Sequence, residues 1–484
     1  MGSVGALLQR VSARLRGAGI DDAVGSAHLL LRAALRRAPE DWSAPLPAPG
    51  AALDARVRER LDALCELRCA RWPIQYLAGE WDFHGINLVM RPPTLIPRPE
   101  TEVLVDRVLA SVHGRLATAM ATATAGAGGA ATEAGHDDDT CMAMSGPQPA
   151  VVRVLDVGCG TGAIGLALLA GLRETEGLWS GPGPGSGSGS GSELGLGSGS
   201  AAIAPDTDER RLHATMGAKT AEAKVRVEVV AIDCCSSAVS LSRYNAWRLG
   251  FSTSTGTPPR APPPLPPLSA AAPELQSAVA AIPPTADTAE VDTDIAASTS
   301  AFVDLTYSCH NLSIADLMLE LEQREQQDAR RDQGQELSVL SSDSLRPCGR
   351  FDVVVSNPPY VPSADVGRLQ AEVRDFESHV ALDGGVDGLG VVRELLAAAP
   401  MLLRRGEQDP ELWLETGGGH PAVIERWLGA HEGEAGKGGR KGDAEAASEV
   451  EVHENLRCIE TFSDLNGVAR FIGIGLRDRG REAL

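Results

Sequence analysis

The sequence predicts an α/β fold, a doubly wound and mainly parallel sheet behind a small helical N-terminal unit. Three observations carry this. Apolar runs at 151–157, 225–232, 351–356 and 411–415 alternate with helical patterns, the order expected of strand–helix–strand units with helices on both faces. A glycine-rich turn joins the first run to the first helix after it, as at the switch point of open parallel sheets. The first 72 residues show only the spacing of amphipathic helices.

In chain order, Leu7, Leu8, Val11 and Leu15 share one helical face, and Gly17-Ala18-Gly19 ends that helix. Asp21 or Asp22 caps a second helix running through Leu29, Leu30 and Leu31 towards Leu35, and Val57, Leu61, Leu64 and Leu67 mark a third. From Ile74 to Met90 the period changes to two, with Trp81 and Phe83 before a His84-Gly85 turn and Ile86, Leu88 and Met90 after it. This is a hairpin pattern. The proline-dense run 91–99 is too stiff for a helix or a central strand and reads as a connector. Helices are then expected over 100–111, 163–172 and 236–249. The domain plan is therefore 1–72 helical, 73–99 hairpin and linker, and 100–484 catalytic.

Low-complexity stretches near 117–149, 180–222, 252–300, 319–336 and 429–449 interrupt this plan. They are rich in Gly, Ser, Ala, Thr, Pro or charged residues. Such segments bury too little apolar area to offset their ordering entropy, so they are expected to be disordered insertions between elements. The 484-residue chain carries a net charge of −21, which argues against a protein that grips nucleic acid mainly by neutralising phosphates. Its apolar runs fall short of the ~18 residues of a membrane span. Nine cysteines without a repeating spacing do not resemble a secreted disulfide framework or a zinc site, and suit a reducing compartment; no metal is expected.

Three constellations carry chemistry. Asp156-Val157-Gly158-Cys159-Gly160-Thr161-Gly162 is a strand followed by a glycine turn and a helix, where the backbone can approach a ligand closely. Gly158, Gly160 and Gly162 follow a Gly-x-Gly-x-Gly spacing, not that of a dinucleotide turn. Asp156 before the turn would repel a pyrophosphate but suits the ammonium of an amino-acid end, as in S-adenosylmethionine. Asp233 ends the next strand, where an acid accepts both hydroxyls of a ribose. Asn357-Pro358-Pro359-Tyr360 directly follows a buried strand. The Asn357 side-chain oxygen and the Pro358 carbonyl can hold the N–H groups of a flat amide or aromatic amine. Pro359 stiffens the turn, and Tyr360 can stack on a planar group. Rate acceleration at such a turn rests on positioning and preorganised acceptors.

Together with the segments Pro73-Ile74-Gln75-Tyr76, Gly79-Glu80-Trp81-Asp82-Phe83, Pro92-Pro93-Thr94-Leu95-Ile96-Pro97-Arg98-Pro99-Glu100-Thr101-Glu102, Phe376-Glu377, Ala381-Leu382-Asp383-Gly384-Gly385, Asp387-Gly388-Leu389 and Asp464-Leu465-Asn466-Gly467, this turn resembles the HemK (PrmC) family. These are S-adenosylmethionine-dependent methyltransferases acting on the glutamine of the Gly-Gly-Gln motif in peptide-chain release factors. The resemblance implies a Rossmann-like class I methyltransferase sheet, a helical domain that helps dock the release factor, and a catalytic domain that binds S-adenosylmethionine. It carries cofactor roles to Gly158, Gly160, Gly162 and Asp233, and substrate roles to Asn357, Pro358 and Tyr360. It also implies an acid near the adenine, for which Asp316 and Asp343 compete; the Leu-Met pair after Asp316 favours that residue. An amino-methyltransferase acting on an adenine or guanine of DNA or RNA is the alternative, since it uses the same turn on an extruded base. A non-catalytic binding protein of the same fold is a third reading, and a dehydrogenase fits only if the Asn-led turn is coincidental. No direct nucleic-acid or membrane partner is expected. Arg10, Arg14 and Arg16 without an early acid leave mitochondrion, plastid and cytoplasm all open.

Overall fold

The structure, a computed structural model, describes residues 3–35, 45–127, 150–179, 225–251, 259–260, 303–332, 350–404, 411–429 and 455–477. The expected insertion 180–222 and Asp343 lie outside the described residues.

Helices α1 (Val4–Gly17), α2 (Ala23–Ala34) and α3 (Ala55–Cys69) form the N-terminal unit. Each begins at a side-chain cap, with Ser3, Asp22 and Asp54 accepting from the backbone N–H of Ala6, Gly25 and Arg56. The second cap is thus Asp22. The chain then departs from the expected hairpin. Ile74–Ala78 forms a short helix, α4, ended by Gly79 in the left-handed conformation, because Pro73 suits a helix start and Gly79 its stop. Period-two structure is confined to β1 (Glu80–Phe83) and β2 (Ile86–Val89), an antiparallel pair.

The catalytic unit alternates strand and helix: α5 (Pro99–Ala127), β3 (Ala150–Val157), α6 (Ala163–Trp179), β4 (Val225–Asp233), α7 (Ser236–Arg248), β5 (Val303–Asn311), α8 (Ile314–Asp332) and β6 (Val353–Ser356). Short helices α9 (Ser363–Val366) and α10 (Ala371–Arg374) follow, then α11 (Gly390–Leu402), β7 (Glu411–Glu415), α12 (His420–Gly429) and the hairpin β8 (Leu456–Ser463)–β9 (Ala469–Leu476). The spatial order among the described residues is β5-β4-β3-β6-β7-β9-β8. All pairs are parallel except those of β9 with β7 and β8. Counted within this domain the order is 3-2-1-4-5-7-6, a doubly wound sheet whose direction of growth reverses beside β3. It is the class I methyltransferase sheet anticipated from the sequence.

Helices α5, α6 and α7 cover one face, where Leu104, Val108, Leu166 and Leu169 meet Val152, Val154, Val227 and Val229. Helices α8, α11 and α12 cover the other, where Leu317, Leu395 and Ile424 meet Leu155, Ile232 and Leu414. The apolar core of the first face continues through Ile96, Met90 and Phe83 into Leu61, Leu30 and Leu15 of the N-terminal helices. No helix among the described residues is long and apolar enough to cross a membrane.

Two stretches assigned to insertions are regular. Residues 117–127 continue α5 and 319–332 belong to α8, because Ala, Glu and Gln favour helix even without a strong apolar stripe. Strand β5 was not anticipated. Its alternation of Val303, Tyr307 and Cys309 with Asp304, Thr306 and Ser308 follows directly on an Ala/Thr/Ser-rich stretch that masks it.

Candidate active site

Parallel strands place their following loops at one edge of the sheet, and a cavity opens there beyond the ends of β3, β4 and β6. Its wall includes Gly158, Cys159, Gly160 and Thr161 from the glycine turn, Ile232 and Asp233 from β4, and Asn357 and Pro359 from the turn after β6. The turn is built by backbone bonds. Gly158 and Cys159 donate to the Ile232 carbonyl, and Gly162 donates to that of Cys159. All three glycines have positive φ, which side chains on L-residues resist.

Their roles differ. A Cβ on Gly158 would meet nothing within 4 Å, whereas one on Gly162 would stand 2.7 Å from the Ser242 hydroxyl and 2.9 Å from Leu166. Gly162 does not line the cavity and serves helix-to-strand packing instead. Gly162→Ala is therefore expected to lower stability by about 2–4 kcal/mol from backbone strain plus crowding. Gly158→Ala should cost roughly 1 kcal/mol from backbone strain alone. Urea denaturation of the two variants measures the difference.

Asp233 sits at the cavity wall with Oδ2 accepting from Gly160 N–H at 3.0 Å and Oδ1 from Cys235 N–H at 2.8 Å. Burial raises its pKa, opposed by those two hydrogen bonds. Each oxygen retains a lone pair for a further donor. Beside it Ile232, Ala238, Leu312 and Ile314 supply an apolar wall. A carboxylate able to accept from two vicinal hydroxyls, next to an apolar slot suited to a planar base, fits the nucleoside part of S-adenosylmethionine.

Asp156 is fully buried behind the turn and does not line the cavity. Its Oδ2 accepts from Gly165 N–H at 3.0 Å, and Oδ1 is buried without a partner. Burial pushes its carboxyl up to about 7, with Asp233 adding to the rise and the Gly165 bond opposing it. Asp156, expected to meet the cofactor's amino-acid end, here anchors the helix that follows the turn from behind the cavity wall. Asp316, expected near the adenine, also lies off the cavity wall. It is exposed on the first turn of α8, its Oδ2 taking the Ser313 N–H at 3.0 Å and hydroxyl at 2.7 Å while the Ser313 hydroxyl caps the Asp316 N–H. A reciprocal capping box holds Oδ2 of this carboxylate. The slot is instead walled by Leu312, Ser313 and Ile314.

Of the Asn-led turn, Asn357 and Pro359 face the cavity, whereas Pro358 and Tyr360 are absent from its wall. Tyr360, expected to stack on a planar group, stands off that wall in this arrangement. Its largely buried phenol lies in the field of Glu415, Arg470 and Arg98, and burial first, then Glu415, raises its pKa to about 12. Two residues passed over in the sequence complete this corner. Asn357 Nδ2 donates to Thr101 Oγ1 at 3.1 Å, and Thr101 Oγ1 donates to Glu415 Oε2 at 2.7 Å. Burial raises the Glu415 carboxyl to about 7 against the opposing pull of Thr101 and Arg470. Glu415 ends a buried strand as Asp233 does, and that is the signal the sequence offers.

The cavity lips are tied to the N-terminal unit. Pro93, Thr94 and Leu95 form one lip, and Ser378, Val380 and Ala381 the other. Arg98 clamps both oxygens of buried Glu377 at 2.9 and 2.7 Å, and Ser378 N–H donates to the Pro93 carbonyl at 2.7 Å. From the helices, Arg68 and Arg71 reach Glu372 at 3.0 and 2.7 Å, Trp72 packs on Phe376, and Tyr76 donates to the Thr94 carbonyl.

Comparison with known proteins fits this arrangement. Residues 6–79 match the PrmC N-terminal domain. The chain is 25% identical to the human MTRF1L release factor glutamine methyltransferase over 393 residues, covering 81% of this chain and 67% of that relative. It is 35% identical to the release factor glutamine methyltransferase of Geobacter sulfurreducens over 142 residues, 29% of this chain and 41% of the relative. A 60-residue stretch is 53% identical to that of Gloeobacter violaceus, 12% of this chain and 21% of the relative. The chain thus matches less than half the length of these two bacterial relatives. The resemblance to the HemK (PrmC) family is borne out.

Proposed function

We propose that the protein transfers a methyl group from S-adenosylmethionine to the side-chain nitrogen of the glutamine in the Gly-Gly-Gln motif of a peptide-chain release factor. The observation that carries this reading is that Asn357 shares one cavity wall with the glycine turn and with Asp233. An acceptor for a carboxamide and a seat for a nucleoside thus open on the same space. That the human and Geobacter sulfurreducens relatives are release factor glutamine methyltransferases supports the choice of a release factor glutamine as acceptor.

In this reading Asp233 accepts the ribose hydroxyls, while Gly158 and Gly160 let the backbone come close to the amino-acid end. When bound, S-adenosylmethionine supplies an electrophilic methyl group on a sulfonium that is an intrinsically good leaving group. Asn357 Oδ1, on the cavity wall, accepts an N–H group of the substrate amide, while the Pro358 carbonyl expected as its second acceptor lies off that wall. The bond enriches the nitrogen as its lone pair leaves conjugation, a preorganised electrostatic contribution. The N–C bond forms as the S–C bond breaks, S-adenosylhomocysteine leaves and one amide proton is released to solvent. Pro359 limits the freedom of that turn. The lips tied by Arg98 and Glu377 restrict water at the reacting atoms.

The test is incubation of the full chain with a release factor and methyl-labelled cofactor. Label is expected on the wild-type factor and absent when its motif glutamine is replaced. Undiminished labelling of the replaced factor would refute the proposal, and transfer to a nucleic-acid base would install the alternative amino-methyltransferase.

A further inference from the structure

We infer that Thr101 and Glu415 are positioning residues that dictate which end of the Asn357 carboxamide faces the cavity, through the relay Asn357 Nδ2–H to Thr101 Oγ1–H to Glu415 Oε2. The inference rests on the proposed methyl transfer for its purpose but on side-chain geometry for its content.

A carboxamide is nearly symmetric in shape, and rotation by half a turn exchanges a donor for an acceptor. At Asn357 that exchange would be fatal to holding an N–H group. The relay removes the ambiguity. Thr101, which touches the cavity wall, and Glu415 are almost completely buried, at 3% and 1% exposure, so each makes its bonds chiefly to protein groups. A threonine hydroxyl has one hydrogen, and an ionised carboxylate only accepts. The 2.7 Å bond to Glu415 takes that hydrogen, which leaves only lone pairs of Oγ1 turned to Asn357. The amide must then offer Nδ2–H, as it does to Thr101 at 3.1 Å and towards the Glu415 carboxylate itself, and Oδ1 is the end left for the substrate.

The charge on Glu415 gives the relay its polarity. The groups facing this carboxylate are Thr101 and Glu100 from the start of α5, Asn357 and Tyr360 from the turn after β6, and Arg470 from β9. Burial raises its pKa most, Glu100 adds to the rise, and Thr101, Arg470 and Asn357 oppose it, leaving it at about 7. Above that pH the carboxylate accepts and the amide is held as described. Once protonated, Glu415 can donate to Oγ1, the threonine hydrogen turns to Asn357, and the amide reverses. Positioning is thus complete above about 7 and is lost as pH falls through it.

The test uses the full chain with Thr101→Val, Thr101→Ser and Glu415→Gln. Thr101→Val is expected to lower kcat roughly 30-fold, the worth of one buried hydrogen bond, with KM for S-adenosylmethionine within about 3-fold. Thr101→Ser should restore kcat to within about 3-fold of wild type. Wild-type kcat should fall along an acidic limb near pH 7, and Glu415→Gln should flatten that limb. A second readout needs no substrate. With 15N-asparagine labelling, the Asn357 side-chain amide signals, assigned by their loss in Asn357→Asp, should titrate with a midpoint near 7 in wild type and not in Glu415→Gln. Full activity of Thr101→Val, or amide signals unmoved in wild type between about pH 6 and about pH 8, would overturn the relay. A wild-type enzyme that labels no release factor would instead remove the proposed reaction, and the amide titration would still decide the relay.

Discussion

Asn357→Ala is expected to lower kcat for methyl transfer by about 10³-fold or more while leaving the affinity for S-adenosylmethionine within about 3-fold. The asparagine reaches the cavity from the turn after β6, whereas the nucleoside seat is built from the ends of β3 and β4. Alanine removes the acceptor that fixes the substrate nitrogen, and it also removes a donor to Thr101. Neither loss touches Asp233 or its two backbone partners. Single-turnover kinetics with a release factor, paired with calorimetry of cofactor binding, separates the two quantities. A parallel collapse of affinity would show that the two ends of the cavity are not independent.

Asp233→Ala is expected to give the converse result, weakening S-adenosylmethionine by about 100-fold or more while sparing kcat at saturating cofactor far better. The carboxylate does two jobs at once. It would accept from the ribose, and it already holds the N–H groups of Gly160 and Cys235 at 3.0 and 2.8 Å. Charge-assisted bonds of this kind are worth about 1.5–3 kcal/mol each, and the truncation also leaves two backbone donors unpaired. Asp233→Asn separates the roles, because its amide oxygen can keep one backbone bond while the amine offers a donor where acceptors are needed. Calorimetric affinity should then fall less steeply than in the alanine variant, with thermal stability closer to wild type.

The parts of this site that could be read from the sequence are those whose chemistry is local. The glycine turn at Gly158 and the Asn357-Pro358-Pro359-Tyr360 corner each announce themselves within a few residues, because tight turns demand particular residue types. The relay could not be read this way. Thr101 and Glu415 are 314 positions apart and meet only because α5 begins beside the end of β7. Asp316 misled for a related reason. A strand-end acid and a helix-capping acid look alike in one dimension, and only the bond from Ser313 tells them apart. The field of Glu415, Arg470 and Arg98 on the Tyr360 phenol comes from elements far apart in the chain and has no local signature. Strand β5 escaped notice because an edge strand needs only weak alternation, while the long helix α5 outran its apolar stripe on propensity alone.

The parallel run β5-β4-β3-β6-β7 gives the catalytic unit a front and a back. Apart from Thr101 at the start of α5, every residue assigned to chemistry lies where a strand finishes or just beyond. Among the described residues, the rim where the parallel strands begin carries none of them, so that rim can change in sequence while the chemistry at the front keeps its shape.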